Sequence, residues 1–185
     1  IGRHSYPLSL GPHGFYWLRL ESTAVAEQEP CSAGRTILFV CQFNSARSQL
    51  AEVLARSVVP SQVRVLSAGL TRSVVNGEVV RALAEIGLDA SGQTSKSLDD
   101  LRCDGVDNVF ILCEEAWLPA ARRFPNALHH FWPMSDPIAS SDPTVIPGEV
   151  RRTRDELRVR LKAWFEGVNS SNHSFARPGP CGWRC

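Results

Sequence analysis

Apolar and polar positions alternate along the chain in two different rhythms, and the rhythm changes every ten to twenty residues. The run Thr36-Ile37-Leu38-Phe39-Val40 is β-rich and has no polar alternation, as expected of a strand covered on both faces in a parallel sheet. From Ala46 the spacing turns helical, with Leu50, Ala51, Val53, Leu54 and Val58 on one stripe, which predicts a helix over 46–58. The same reading gives a strand at 63–67, a helix at 76–86, a short helical turn near 98–102 and a strand at 108–113. A helix at 115–123, a strand at 128–132 and a long helix at 148–167 complete the series. In the last helix Val150, Leu157, Leu161, Trp164 and Val168 are expected to face inward, with Arg151, Arg154, Glu156 and Arg158 facing out as a solvated face. Strands alternating with helices imply a parallel sheet with helices on both faces.

That order places candidate chemistry at one edge of the sheet. Cys41 stands at a strand's carboxyl end, where open α/β sheets bind their ligands, and the turn from Cys41 to Arg47 feeds a helix N-terminus. Backbone N–H groups of Gln42, Phe43, Asn44, Ser45 and Ala46, with the helix dipole behind them, would make this turn an oxyanion-binding loop. A helix N-terminus and a nearby guanidinium favour the thiolate, so Cys41 is the candidate nucleophile. Arg47, closing a Cys-x5-Arg loop, offers a planar fork to two oxygens of a tetrahedral oxyanion. Asn44 tolerates left-handed backbone and can brace the loop, while the Ser48 hydroxyl can hydrogen-bond the sulfur.

The stretch ILFVCQFNSARSQLAE closely resembles the active-site signature of low-molecular-weight protein tyrosine phosphatases and of the arsenate reductases that share their fold. Gln49 after Arg47-Ser48 looks like the reductase branch. Glu52, Ser67, Thr94, Cys113 and Asp136 match the spacing of the thioredoxin-coupled reductases. The resemblance runs from about Arg35 to Gly167 and implies a flavodoxin-like three-layer α/β fold, a four-stranded parallel sheet in the order 2-1-3-4. It also implies an arsenate reductase in which Cys41 forms a thiol-arsenate adduct and Cys113 resolves it as a disulfide. The alternative is a protein tyrosine phosphatase working through a phosphocysteine, with Phe43 and Trp117 as mouth residues. A third reading is a non-enzymatic oxyanion sensor.

Asp136, followed by Pro137, sits at a turn after the strand 128–132 and is the candidate general acid, which either enzyme requires; Asp142-Pro143 is its rival. Two departures from the family pattern matter. Thioredoxin-coupled members carry a third cysteine where this chain has Ala120, so the reductant is expected to be a small thiol, a glutaredoxin or a thioredoxin acting from outside. Lys96 stands where some relatives place an aspartate that helps hold potassium, so its ammonium is expected to fill that place; no cofactor and no metal are expected.

Composition narrows the picture further. With 185 residues, 43% of them hydrophobic, and a net charge of +1, the chain can bury one compact α/β core and gives no argument for nucleic acid or membrane. No apolar run reaches transmembrane length and no segment reads as a signal peptide, which points to the cytoplasm. Six cysteines, two at strand ends, suit reduced and catalytic thiols better than a disulfide framework; Cys103 precedes its strand and falls at the opposite sheet edge. The enzyme domain is expected over 35–168. Residues 1–34 read as an N-terminal extension that faintly resembles the wing and last helix of an arsenic-responsive winged-helix repressor. Residues 169–185, rich in Ser, Asn, Gly and Pro, read as a disordered tail whose Cys181 and Cys185 do not by themselves make a metal site.

Overall fold

The computed structural model describes residues 35–103 and 105–170. The expected N-terminal extension lies outside the described residues, as does the tail beyond Ser170. Four parallel strands, β1 (Thr36–Cys41), β2 (Arg64–Gly69), β3 (Asn108–Ile111) and β4 (Leu128–Phe131), form one sheet in the order β2-β1-β3-β4. This is the expected 2-1-3-4 order. Helix α1 (Arg47–Arg56) returns the chain from β1 to β2, and α3 (Trp117–Arg123) returns it from β3 to β4 in the opposite sense along the sheet. Right-handed crossovers therefore set α1 and α3 on opposite faces. Helices α2 (Gly77–Ala84) and α4 (Ile146–Ser170) join α1.

The core follows from the apolar runs. Ile37, Leu38, Phe39 and Val40 of β1 and Val109, Phe110 and Ile111 of β3 are fully or almost fully buried, as a strand covered on both faces requires. Phe110 gathers rings from several elements: Phe39 at 5.0 Å between centroids, His130 at 4.4 Å, Trp132 at 4.6 Å and Trp164 of α4 at 5.1 Å. Among the described residues no helix is long and apolar enough to cross a membrane.

Several boundaries differ from the sequence reading for local reasons. Helix α1 stops at Arg56, and Val58 lies beyond it, half exposed. The expected helical turn at 98–102 is instead a hydrogen-bonded turn in which the Ser97 and Asp100 side chains bond each other's backbone N–H groups. Helix α4 begins two residues early, with Pro147 at a position where its missing N–H costs nothing, and runs to Ser170. A short 3-10 turn (Glu114–Ala116) precedes α3.

One prediction of side-chain direction fails. Arg154 does not face solvent: it is 7% exposed, donates to the Ala82 carbonyl at 2.8 Å and pairs with Glu85 at 3.0 Å. Ala82 sits in the last turn of α2, where carbonyls lack helical partners, so Arg154 caps that helix from outside it. Replacing Arg154 with methionine keeps the aliphatic bulk but strands the carbonyl, and should lower unfolding free energy by about 1–3 kcal/mol in a denaturant titration. An unchanged midpoint would mean the contact contributes nothing net.

Candidate active site

Cys41 is the last residue of β1, and its sulfur is buried at the base of the loop 42–46. Ala46, just before α1, offers no side chain to cap that helix, so the first N–H groups of α1 have no side-chain acceptor there. Asn44 has a positive φ of 48°, the left-handed conformation that lets the loop turn back over the strand end. Gly69, at the end of β2, packs against the same turn. A Cβ there would lie 2.7 Å from the Asn44 nitrogen, 2.8 Å from the Phe43 carbonyl carbon and 2.5 Å from the Thr71 oxygen. Only glycine fits that contact.

The Asn44 side chain is the hub of a buried polar network whose donor directions are fixed. Its Oδ1 accepts from the backbone N–H of Lys96 at 2.7 Å and from Gln49 Nε2 at 2.9 Å. Backbone N–H can only donate, so the amide orientation is set, and Nδ2 donates to Ser48 Oγ at 2.8 Å and to Ser67 Oγ at 2.7 Å. Each serine hydroxyl is thereby left to donate outward. Ser48 meets the Cys41 sulfur at 2.9 Å, an arrangement that supplies a hydrogen bond to a thiolate. Ser67 donates to the fully buried carboxylate of Glu52, which also accepts from Arg56 and Gln93.

Lys96 completes this network. Its Nζ lies 3.7 Å from Glu52 Oε2 and donates to the Thr94 carbonyl at 3.0 Å, so a covalently tethered cation stands beside the carboxylate. Because that ammonium already compensates Glu52, activity should be the same in potassium as in sodium at equal ionic strength. A clear potassium activation would refute this. Gln49, noted in the sequence only as a branch marker, donates to the Asn44 and Thr94 carbonyls at 3.0 Å each and accepts from Gln93 at 2.9 Å. Gln93 carried no sequence signal at all.

Arg47 is 5% exposed and reaches across the sheet edge. It donates to the Met134 carbonyl at 3.2 Å through Nη1 and to Asp136 Oδ2 at 3.0 Å through Nη2. The segment after β4 is held against β3 by Trp132 N–H to the Ile111 carbonyl (2.9 Å) and Met134 N–H to the Leu112 carbonyl (3.2 Å), which carries Asp136 to the loop. Its rival does not arrive: Asp142 is exposed and engaged with Thr144 N–H and Oγ1 in a local turn.

Cys113 follows β3 as Cys41 ends β1, and since Val40 pairs with Ile111 the two thiols leave adjacent central strands at the same edge. Cys113, Arg47, Asp136, Gln42 and Phe43 line one cleft of about 830 Å³. The Cys113 thiol is pushed up to about 11, chiefly by burial, against the opposing influence of the Ala116 N–H and Arg47. The cleft's far wall comes from α4 through Glu149, Arg152 and Glu156, which sequence reasoning missed because helix and loop are more than a hundred residues apart. Phe43 is at the mouth as expected. Trp117 is not; its ring lies edge-on against His129 (6.0 Å) and Phe131 (5.5 Å) of β4. Cys103 is buried before β3, away from this edge, and is disulfide-bonded, so the expectation of reduced thiols does not hold for it.

Known proteins share both the sequence pattern and this architecture. The arsenate reductase of Brevibacillus brevis is 35% identical over 134 residues, covering 71% of this chain and 95% of that protein. The crystal structure of arsenate reductase from Archaeoglobus fulgidus superposes with a TM-score of 0.57 at 30% identity, covering 70% of this chain and 98% of that one. The YwlE arginine phosphatase from Geobacillus stearothermophilus has the same fold, with a TM-score of 0.64 at 23% identity over 77% of this chain and 99% of its own. Residues 36–174 match the sequence profile described as low molecular weight phosphotyrosine protein phosphatase. The chain therefore belongs to the low molecular weight phosphotyrosine protein phosphatase family.

Proposed function

We propose that this protein is an arsenate reductase. The observation that carries the reading is a second buried cysteine, Cys113, which lines the cleft with Arg47 and Asp136 and leaves the sheet at the same edge as Cys41. A phosphatase has no use for it. The named reductase relatives support the same choice.

The Cys41 thiolate, hydrogen-bonded by Ser48, attacks arsenate held by the loop N–H groups and by the Arg47 fork. A sulfur–arsenic bond forms and a hydroxyl leaves as water, taking its proton from Asp136. Cys113 then attacks the Cys41 sulfur. The sulfur–arsenic bond breaks with its electron pair passing to arsenic, As(V) becomes As(III), arsenite departs and a Cys41–Cys113 disulfide remains. In this reading an external thiol reduces that disulfide, since Ala120, fully buried, stands where the relatives' relay cysteine would be and Cys181 and Cys185 lie outside the described residues. The reductant is a small thiol, a glutaredoxin or a thioredoxin, in keeping with a cytoplasmic enzyme.

The buried Ala120 also favours a second reading, a protein tyrosine phosphatase that never needed a relay. It would use the same Cys41, Arg47 and Asp136 through a phosphocysteine, with Phe43 against an aryl group. Mass spectrometry of trapped cysteines separates the two. Arsenate should produce a Cys41–Cys113 disulfide in the reduced wild type and none in Cys113→Ser. Steady release of phosphate from p-nitrophenyl phosphate, indifferent to Cys113 and without any disulfide, would establish the phosphatase instead.

A further inference from the structure

A loop that binds an oxyanion through its N–H groups must keep its carbonyl oxygens turned away from the anion. Here each carbonyl from Cys41 to Ala46 is held by a donor outside the loop. Backbone N–H groups of Leu70 and Thr71 donate to the Cys41 and Gln42 carbonyls at 3.1 Å each, Asn76 N–H to that of Ser45 at 3.0 Å and Leu50 N–H to that of Ala46 at 2.9 Å. Side chains hold the other two. Gln49 Nε2 donates to the Asn44 carbonyl at 3.0 Å, and Ser95 Oγ donates to the Phe43 carbonyl at 3.2 Å. The direction of the Ser95 bond is fixed, because the same oxygen accepts from the Ser73 N–H at 2.9 Å and keeps its one proton for Phe43.

The Phe43 carbonyl and the Asn44 N–H belong to one trans peptide and point in opposite directions, so an outward carbonyl aims that N–H into the cradle. This peptide has an alternative orientation. Asn44 sits at a φ of 48°, a left-handed conformation that is unfavourable for an L-residue. Rotation of the peptide would return Asn44 to an ordinary negative φ and swing the Phe43 oxygen inward, where it repels an anion. Ser95 is anchored to resist that rotation: the adjoining Lys96 donates its N–H to Asn44 Oδ1 at 2.7 Å, and its carbonyl accepts from the Gly69 N–H at 2.8 Å.

We propose that Ser95 is a positioning residue of the oxyanion loop, holding the peptide between Phe43 and Asn44 in the anion-binding orientation. It acts on the anion only through the loop backbone. This deepens the reductase reading and rests on its oxyanion site. Because a bound anion selects the outward carbonyl, losing the Ser95 contact lowers affinity and spares the rate of a fully occupied site.

The test compares Ser95→Ala with Ser95→Thr, which keeps the hydroxyl, and with Ser97→Ala. Ser97 Oγ accepts from the Asp100 N–H at 3.2 Å in the same segment, so its removal loosens the segment without touching the loop. Calorimetric titration with inorganic phosphate should give a dissociation constant about fivefold higher for Ser95→Ala than for wild type, and wild-type values for the other two variants. In single-turnover disulfide formation with arsenate, Ser95→Ala should need about fivefold more arsenate for half its maximal rate, and that maximal rate should stay within about twofold of wild type. Denaturant midpoints of the same samples report folding separately. A phosphate affinity of Ser95→Ala within about twofold of wild type overturns the proposal, as does an equal loss in Ser97→Ala or a loss that Ser95→Thr does not restore. Wild type that binds phosphate but forms no arsenate-dependent disulfide overturns the reductase reading instead, and the phosphate comparison still decides the role of Ser95.

Discussion

Replacing Cys41 with serine is expected to remove turnover of arsenate and of aryl phosphate alike, by at least about 10⁴-fold, while phosphate still binds. The sulfur stands at the end of β1, at the start of the loop that Arg47 closes, and a serine hydroxyl in the same position ionises far too weakly to replace it. The surroundings would persist. Ser48 can donate to an alcohol oxygen as it does to sulfur, and Asn44 still orients Ser48. Initial rates together with calorimetric phosphate titration separate the two quantities. Residual turnover within tenfold of wild type would mean that another group attacks the substrate.

Asp136→Asn carries the second large effect, a fall in kcat of roughly 10²–10⁴-fold for either reaction, because the leaving oxygen loses its proton donor. Asparagine keeps an oxygen that can accept from Arg47, as Asp136 Oδ2 does at 3.0 Å, so the guanidinium should stay in place. Phosphate affinity should then change little. This combination also tests whether the protein is an enzyme at all: in an oxyanion sensor the same substitution would alter neither binding nor any chemistry. The deficit should shrink for esters whose leaving group needs no proton, such as 2,4-dinitrophenyl phosphate. An equal deficit for good and poor leaving groups would remove Asp136 from the acid role.

The fold could be read from the chain because its signals are local. Uninterrupted apolar runs mark strands buried on both faces, and β1 and β3 carry them. The strand-loop-helix around Cys41 is likewise contiguous in sequence, so its nucleophile, arginine and bracing asparagine were visible together. For Arg154, charge points to the solvated face and spacing points to the core, and spacing prevails. It stands four residues after Val150 and three before Leu157, squarely on the buried stripe, and only the distant Ala82 carbonyl and Glu85 explain why an arginine belongs there.

The parts of the site that stayed hidden are those assembled from far along the chain. Gln93 gains its role only when residues 94–98 run alongside β2, with Gly69 N–H bonding the Lys96 carbonyl at 2.8 Å and Leu98 N–H the Gly69 carbonyl at 2.8 Å. The α4 wall of the cleft has the same origin. Trp117 was misplaced for the converse reason: adjacency to Cys113 in sequence suggested the mouth, but the first turn of α3 points its ring at β4.

The close approach of Gly69 to the turn at Asn44 has a consequence for heritable variation. Codon 69 specifies a residue outside the nucleophile loop, yet the space beside its Cα is occupied by the Phe43–Asn44 peptide and the Thr71 carbonyl oxygen, backbone that cannot swing away as a side chain would. A missense change there must displace the nucleophile loop while leaving the sheet and helices intact. Alleles of this kind would yield protein of normal abundance and no activity, so a screen that scores expression alone would pass them as wild type.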